Sequence, residues 1–223
     1  MKVEKPVSTD HPKEKSRGPS RPKDKSKEIV ILTAARKLFL EIGLDVTTDA
    51  IALDAGVAKS TIYSYFSDKE CLLEGVIRLE SYLTISDEQF EKSFGLPLYD
   101  VLKSFGLRYV KFINNREILR WGRLIASAAI KTPNLPERFF AAGPGRGQYM
   151  LIALLSQAIA KGELKRCEPQ VAADNLTGLW LGFTNLEVKL GVRPALSAQE
   201  IENRVEHGIN VFMAFYANKN QIN

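Results

Sequence analysis

The chain has 223 residues, of which 45% are hydrophobic and 26% are charged, as is typical of folded soluble proteins. No apolar run approaches the roughly 18 to 20 residues of a membrane span, and the Lys- and Pro-rich N-terminus lacks the apolar segment of a secretory signal. We therefore expect a cytoplasmic protein with no membrane partner. The two cysteines, Cys71 and Cys167, and the two histidines match no metal-ligand spacing, which predicts reduced thiols and neither a metal nor a cofactor.

The formal net charge of +5 resides in residues 1–27, because acids and bases balance in the rest of the chain. This segment also contains four of the ten prolines and few apolar residues. It cannot bury enough surface to offset the entropy lost on ordering, so we expect a disordered N-terminal arm. Two interpretations remain open, a solubilising tail or a basic arm that contacts DNA phosphates. In the second interpretation the contacting residues are Arg21, Lys23, Lys25 and Lys27.

Helical periodicity begins at Ile29, where apolar residues recur at spacings of three and four. The first helix is predicted to end at Gly43 and to expose Arg36, Lys37 and Glu41 to solvent. A threonine pair, Thr47 and Thr48, then precedes a short second helix.

The second helix is predicted over 49–55, and Gly56 separates it from a third short helix over 58–65. Ser67 and Glu70 have the spacing of a capping box, which predicts the start of a longer fourth helix. In a helix-turn-helix, a tight turn places the second of two helices in the DNA major groove. The bare pattern leaves an ordinary helical bundle equally open.

The segment from Ala55 to Glu70 is AGVAKSTIYSYFSDKE, a Gly-Val turn, a short helix ending in Tyr-Ser-Tyr-Phe, and a Lys-Glu pair. It closely resembles the recognition-helix signature of the TetR/AcrR family of bacterial transcriptional regulators, and with the threonine pair the resemblance covers residues 28–77. It implies an all-α protein with a three-helix helix-turn-helix DNA-binding domain over 28–83 and a helical ligand-binding and dimerisation domain over 84–223. The implied function is a ligand-responsive transcriptional regulator, commonly a repressor, that binds a palindromic double-stranded DNA operator as a homodimer.

The third helix opens with Lys59, Ser60 and Thr61, where side chains can reach base edges. Alternatives remain open for single positions, since Tyr63 can be a core aromatic and Lys59 can contact phosphate rather than a base. Compared with the family, an apolar residue is missing after the threonine pair, and Ala58 replaces a capping serine, which forfeits about 1 kcal/mol. The resemblance implies DNA contacts by Thr47, Thr48, Lys59, Ser60, Thr61, Tyr63, Ser64, Tyr65 and Lys69.

The chain beyond residue 83 is predicted to be helical near 97–113, 116–131, 136–160 with a kink at Pro144, 169–191 and 197–217. The stretch from Arg123 to Ala126 together with the segment from Pro133 to Gly145 resembles the AefR-like C-terminal subgroup of the family. The last helix opens with a second capping box, Ser197 and Glu200. We find no nucleophile, acid–base pair or metal cluster typical of an enzyme.

The last two predicted helices are apolar over more than one face, so each requires two packing partners. A second subunit is one such partner, and a purely monomeric core is the alternative. The predicted dimer interface comprises Leu176, Leu179, Phe183, Leu186, Val205 and Phe212. The resemblance also implies a chamber for a small, largely apolar effector, with candidate lining residues Trp121, Leu124, Ile125, Phe139, Phe140, Tyr149 and Trp180.

Deletion of residues 1–24 is expected to weaken operator binding and to flatten its salt dependence. The reason is that residues 28–69 contain four bases and six acids, so the arm is the nearby source of phosphate-neutralising charge. Operator affinity should be measured over a range of salt concentrations for the full and truncated chains. Equal affinities and equal salt slopes would refute the role of the arm.

Overall fold

The computed structural model describes residues 24–84, 87–93 and 95–218, which form eleven α-helices and one isolated antiparallel bridge between Leu164 and Ala217. This confirms the all-α fold class. None of the described helices is long and apolar enough to cross a membrane. The helices are α1 Lys25–Glu41, α2 Thr48–Asp54, α3 Lys59–Tyr65, α4 Lys69–Thr84, α5 Asp87–Ser93, α6 Leu98–Ile113, α7 Arg116–Ala128, α8 Leu135–Ala142, α9 Pro144–Ala160, α10 Pro169–Leu190 and α11 Ala198–Tyr216.

Helix α1 begins before the predicted end of the arm. Asp24 is its N-cap, and its carboxylate accepts hydrogen bonds from the Ser26 backbone N–H at 2.9 Å and the Ser26 hydroxyl at 2.7 Å. Lys25 and Lys27 are therefore helical, and the prediction of disorder up to residue 27 is wrong for the last residues of that range. Arg21 and Lys23 lie outside the described residues.

Two predicted capping boxes have different outcomes. At α11 the box forms, because the Glu200 N–H donates to Ser197 Oγ at 3.3 Å and the Ser197 N–H donates to Glu200 Oε2 at 2.8 Å. At α4 the prediction of a Ser67–Glu70 box is wrong. Asp68 occupies the cap instead and accepts the Cys71 N–H at 2.6 Å, which also lowers the pKa of the Asp68 carboxyl.

One hydrophobic core joins α1–α4 with two later helices. Phe39 of α1 lies edge-on to Trp121 of α7, with ring centroids 6.2 Å apart. Ile125 of α7 and Leu135 of α8 also belong to this core. The DNA-binding domain predicted to end at residue 83 therefore packs on residues from the second half of the chain.

A second core lies among α6, α9, α10 and α11 and is centred on Trp180. The Trp180 indole is fully buried, stacks near Phe105 and donates to the Val205 carbonyl at 3.3 Å. Gly106 and Gly208 leave the space that this ring occupies, since a Cβ at either position would approach it within 2.8 Å. The ring thus fixes the separation of three helices.

Two predicted helices, 136–160 and 169–191, are interrupted at glycines, and the sequence predicted a kink only in the first of them, at Pro144. The predicted helix over 136–160 is divided into α8 and α9 at Gly143, whose backbone is non-helical, with φ −136° and ψ −79°. Helix α10 is kinked at Gly182, with φ 49° and ψ −162°, a conformation that favours glycine. The kink changes which side chains of α10 face the core on its two sides.

Gly208→Ala is expected to destabilise the protein by about 1–3 kcal/mol, because the added methyl would lie 2.7 Å from the Trp180 ring. Gly147→Ala is the matched control, since its Cβ would meet nothing within 4 Å and helix propensity favours alanine there by up to about 1 kcal/mol. Denaturant unfolding of both variants measures the difference. An unchanged free energy of unfolding in Gly208→Ala would contradict the packing argument.

Candidate nucleic-acid interface and ligand cavity

The turn between α2 and α3 positions the candidate recognition helix. Gly56 has a φ of 64°, and the Val57 N–H returns to the Ala52 carbonyl at 3.0 Å. Ile62 and Phe66 anchor α3 in the core, with 0% and 8% exposure. The opposite face of α3 is therefore directed away from the subunit.

Thr47 is the N-cap of α2, since its hydroxyl accepts the Ala50 N–H at 3.2 Å. Thr48 occupies the first helical position, and its hydroxyl lies 3.3 Å from the Tyr63 hydroxyl of α3. Tyr63 is 47% exposed. The two helices thus present adjacent hydroxyls on one polar surface.

The remaining candidate side chains of α3 differ in exposure. Lys59, Ser60 and Ser64 are exposed and Thr61 is half-buried. Ser64 Oγ donates to the Thr61 carbonyl at 2.7 Å. Ala58 is the N-cap of α3 and makes no side-chain capping bond, in agreement with its replacement of a capping serine. The start of α3 therefore offers free backbone donors as well as side chains.

Lys59 is paired within the protein. Its ammonium lies 2.7 Å from Asp49 Oδ2 in the first turn of α2, and this hydrogen bond raises the pKa of Lys59. The sequence analysis placed Asp49 correctly in the first turn of its helix but missed this pairing, because the two residues meet only when α2 and α3 are packed. A DNA phosphate must compete with Asp49 for the ammonium.

Two predicted contacts are occupied by the protein's own backbone. The Tyr65 hydroxyl donates to the Asp24 carbonyl at 3.1 Å, so it attaches the end of α3 to the start of α1. Lys69 donates to the Leu44 carbonyl at 2.6 Å and lies 3.4 Å from the Val46 carbonyl, so it stabilises the loop between α1 and α2. DNA contacts by these two residues remain predictions.

An apolar cavity of about 390 Å³ lies between α4, α6, α7 and the α8–α9 junction. Of the predicted lining residues, Trp121 and Phe139 contribute to it. Leu124 and Ile125 belong instead to the core around α1–α4. The lining residues are Ile77, Glu80, Phe112, Ile113, Ile118, Leu119, Trp121, Gly122, Arg123, Ala126, Phe139, Gly143, Pro144 and Lys189.

Three predicted cavity residues lie elsewhere, and the prediction is corrected for them. Phe140 and Tyr149 are 49% and 70% exposed on the surface, because their helices direct other residues inward. Trp180 lies in the second core, where its indole hydrogen bonds to the backbone of α11.

Arg36 connects α1 to the wall of this cavity. Its guanidinium forms ion pairs with Glu80 of α4, a lining residue, and with Glu117 of α7. Sequence analysis predicted Arg36 on the solvent side, but it lies four residues after the buried Leu32 and so shares its face of the helix. That spacing was the available signal for its role.

The predicted dimer interface also requires correction. Leu176, Val205 and Phe212 are at most 1% exposed because they pack in the subunit's own core, so they cannot contact a partner in this structure. Leu179 packs at the edge of that core. The exposed apolar side chains of α10 and α11 are Val171, Phe183, Leu186, Leu190, Val211 and Phe215.

Comparison with known families was made over both halves of the chain. Residues 31–76 match the bacterial regulatory proteins of the tetR family, and residues 100–218 match the C-terminal domain of AefR-like transcriptional repressors. This chain belongs to the TetR family of transcriptional regulators. The resemblance noted in the sequence is thereby confirmed, and the protein is a DNA-binding regulator.

Relatives of this TetR-family regulator cover most of its length. The HTH-type transcriptional regulator YdeS of Bacillus subtilis strain 168 is 32% identical over 164 residues, which are 71% of this chain and 78% of YdeS. The flavonoid-responsive regulator FrrA is 29% identical, with a TM-score of 0.68 over 88% of this chain and all of FrrA. A structure assigned to the TetR family from Mesorhizobium loti has a TM-score of 0.72 at 23% identity, over 86% of this chain and 98% of that one, which shows a shared fold.

Asp49→Asn is expected to strengthen DNA binding by about two- to fivefold, because it frees the Lys59 ammonium and removes a negative charge beside α3. Asp54→Asn is the matched control, since Asp54 lies on the same helix and pairs with Lys37 at 2.6 Å. Fluorescence anisotropy with duplex DNA measures both affinities. Equal gains in the two variants would show that Lys59 is not the contact.

Proposed function

We propose that this TetR-family regulator is a repressor that binds a palindromic operator as a homodimer and is released by a small, largely apolar effector. The polar face of α3 carries the DNA-binding part of the proposal. On this face Lys59 and Tyr63 are exposed while Ile62 is fully buried, so the helix is anchored on one side and open on the other. Such a helix fits the major groove.

Charge supports a specific division of roles among the contacts. Lys59 supplies a positive charge at the start of α3, where it can donate to guanine acceptors or to phosphate. Thr47 and Thr48 at the start of α2 present hydroxyls and backbone donors suited to phosphate. Tyr63 adds a phenolic hydroxyl beside Thr48. The basic arm, with Arg21 and Lys23, adds sequence-independent affinity.

Exposed apolar side chains on α10 and α11 support the homodimer. Phe183 is 84% exposed and Phe215 is 69% exposed, on helices whose other faces are buried in the subunit. Large exposed aromatic side chains on a folded protein favour an interaction surface. A symmetric dimer would place two recognition helices for half-sites about one helical turn apart.

The cavity around Trp121 supports the effector. Its volume of about 390 Å³ is in the range that holds a drug-sized molecule. The printed name of FrrA describes a regulator that responds to flavonoids, and we propose a related mode of control for this chain. The effector would act by differing affinity for the DNA-binding and released states, since a ligand with equal affinity shifts nothing.

The experiment that tests the proposal is selection of bound sequences from a random pool of duplex DNA by the purified protein. A palindromic consensus with half-sites about one helical turn apart is the expected result. Tyr63→Phe, which removes only the hydroxyl, should bind the consensus more weakly. Failure to enrich any sequence would contradict the operator-binding function, and an asymmetric consensus would contradict the dimer.

Phe183→Asp is expected to convert the dimer to a monomer, because it places a charge in the apolar surface of α10. Tyr149→Asp is the matched control, since Tyr149 is 70% exposed on α9 rather than on the proposed interface. Sedimentation velocity distinguishes the two species. A dimeric Phe183→Asp protein would disprove this interface, whatever its DNA affinity.

A further inference from the structure

A second cavity adjoins the apolar one. It has a volume of about 450 Å³, and Leu119 and Arg123 line both cavities. Among the described residues, its walls contain three arginines and no acid, in a protein whose chain beyond the arm is neutral overall. The three arginines are Arg120, Arg123 and Arg193.

The three arginines differ in the hydrogen bonds and ion pairs that they form within the protein. Arg193 is paired with Glu200 at 2.8 Å. Arg123 donates through Nη2 to the Lys189 carbonyl at 2.5 Å and forms no ion pair with any described acid. Arg120 forms neither a hydrogen bond nor an ion pair within the described part of the chain. Two guanidinium groups therefore retain donors and an uncompensated charge.

One of the residues that line the apolar cavity, Trp121, has an unsatisfied polar group. Trp121 Nε1 is buried and has no hydrogen-bond partner among the described atoms. A buried donor without a partner is destabilising by about 1–3 kcal/mol, so it is commonly satisfied by a ligand or water. The only acid lining this cavity within the described ranges is Glu80, and Arg36 already neutralises it.

We infer that the effector is an amphipathic organic anion, with its apolar body in the cavity beside Trp121 and its acidic head at Arg120 and Arg123. This inference rests on the proposed effector function. A carboxylate, sulfonate or phosphate head would accept charge-assisted hydrogen bonds from the two guanidinium groups. A hydrogen-bond acceptor on the body would satisfy Trp121 Nε1 after a small adjustment of the wall. A cationic ligand would be repelled by the same arginines.

Two fluorescent probes with one ring system separate the roles of the two cavities. Anilinonaphthalene sulfonate carries an aromatic body and an anionic group, and phenylnaphthylamine carries that body without the charge. The full-length protein should bind the sulfonate about tenfold more tightly than the amine, a difference that decreases with rising ionic strength. Equal affinities for the two probes would overturn the inference.

Arg120→Gln and Arg123→Gln test the head site. Each substitution should weaken binding of the sulfonate probe severalfold and leave binding of the amine probe unchanged. Arg166→Gln, at an exposed arginine between α9 and α10, is the control and should change the binding of neither probe. Arg120 has no structural partner, so its variant should remain folded. Undiminished sulfonate binding in both variants would refute the head site.

Gly122→Leu tests the body site. Gly122 lines the apolar cavity, and a Cβ there would meet nothing within 4 Å, so a side chain can be added at this position of the wall without a clash at its first carbon. Gly122→Leu should weaken the binding of both probes, and Gly122→Ala, the smaller substitution, should weaken it less. Retention of both probes by Gly122→Leu would show that they bind elsewhere, which overturns the assignment.

Operator binding measured with the same proteins separates this inference from the proposed function. The expected result is that the sulfonate releases operator DNA from the unaltered protein and that Arg120→Gln requires a severalfold higher sulfonate concentration for the same release. If Arg120→Gln binds operator and both probes like the unaltered protein, the proposed anion site is refuted, while the proposed operator-binding function is unaffected. If the sulfonate binds through Arg120 but leaves operator binding unchanged, the anion site stands and the effector role fails.

Discussion

The insertion of α7 into the core of the DNA-binding helices is the constraint on which the rest of the structure depends. Trp121 is fully buried against Phe39 of α1 and is also a wall of the apolar cavity. Arg36 of α1 makes the same connection through ion pairs, because its guanidinium contacts Glu80 of the cavity wall and Glu117 of α7. Since packed interiors transmit displacement rather than absorb it, α1 and the cavity cannot rearrange independently. The DNA-binding domain and the C-terminal domain predicted from the sequence are therefore packed together at this junction.

This connection determines how an effector can act. A ligand beside Trp121 would contact a ring that also packs on α1, so its binding energy is coupled to the position of the DNA-binding helices without a long relay. Allosteric coupling is typically 1–3 kcal/mol, which is about the energy of a few altered contacts. The pairs around Arg36 are only partly exposed, and they can reorganise when a ligand approaches Glu80. If an effector releases DNA as proposed, the coupling must be reciprocal, and DNA would weaken effector binding by the same factor.

The sequence predicted most of the helices, though not α5, and the outward face of α3, because these depend on local periodicity and on a short contiguous signature. It did not predict features that depend on contacts between helices. Lys59 and Asp49 lie ten residues apart and meet only across the α2–α3 turn. Arg36 was assigned to solvent although its spacing from Leu32 placed it near the core. Leu176, Val205 and Phe212 were assigned to the dimer surface because α10 and α11 are apolar on more than one face, and which face packs in the subunit's own core depends on contacts between helices.

The pairing of Lys59 with Asp49 suits a protein that must find one site among many. Non-specific DNA binding is almost entirely electrostatic, so an ammonium that is already compensated contributes little to it. At the correct site a base acceptor or a well-placed phosphate gives a short, directed hydrogen bond, which can displace an exposed carboxylate whose own pairing is weak. If Lys59 contacts DNA as proposed, the pair would lower affinity for random DNA more than affinity for the operator. Residues 28–69 carry more acids than bases, and under the same proposal the basic arm would supply the sequence-independent part of the affinity.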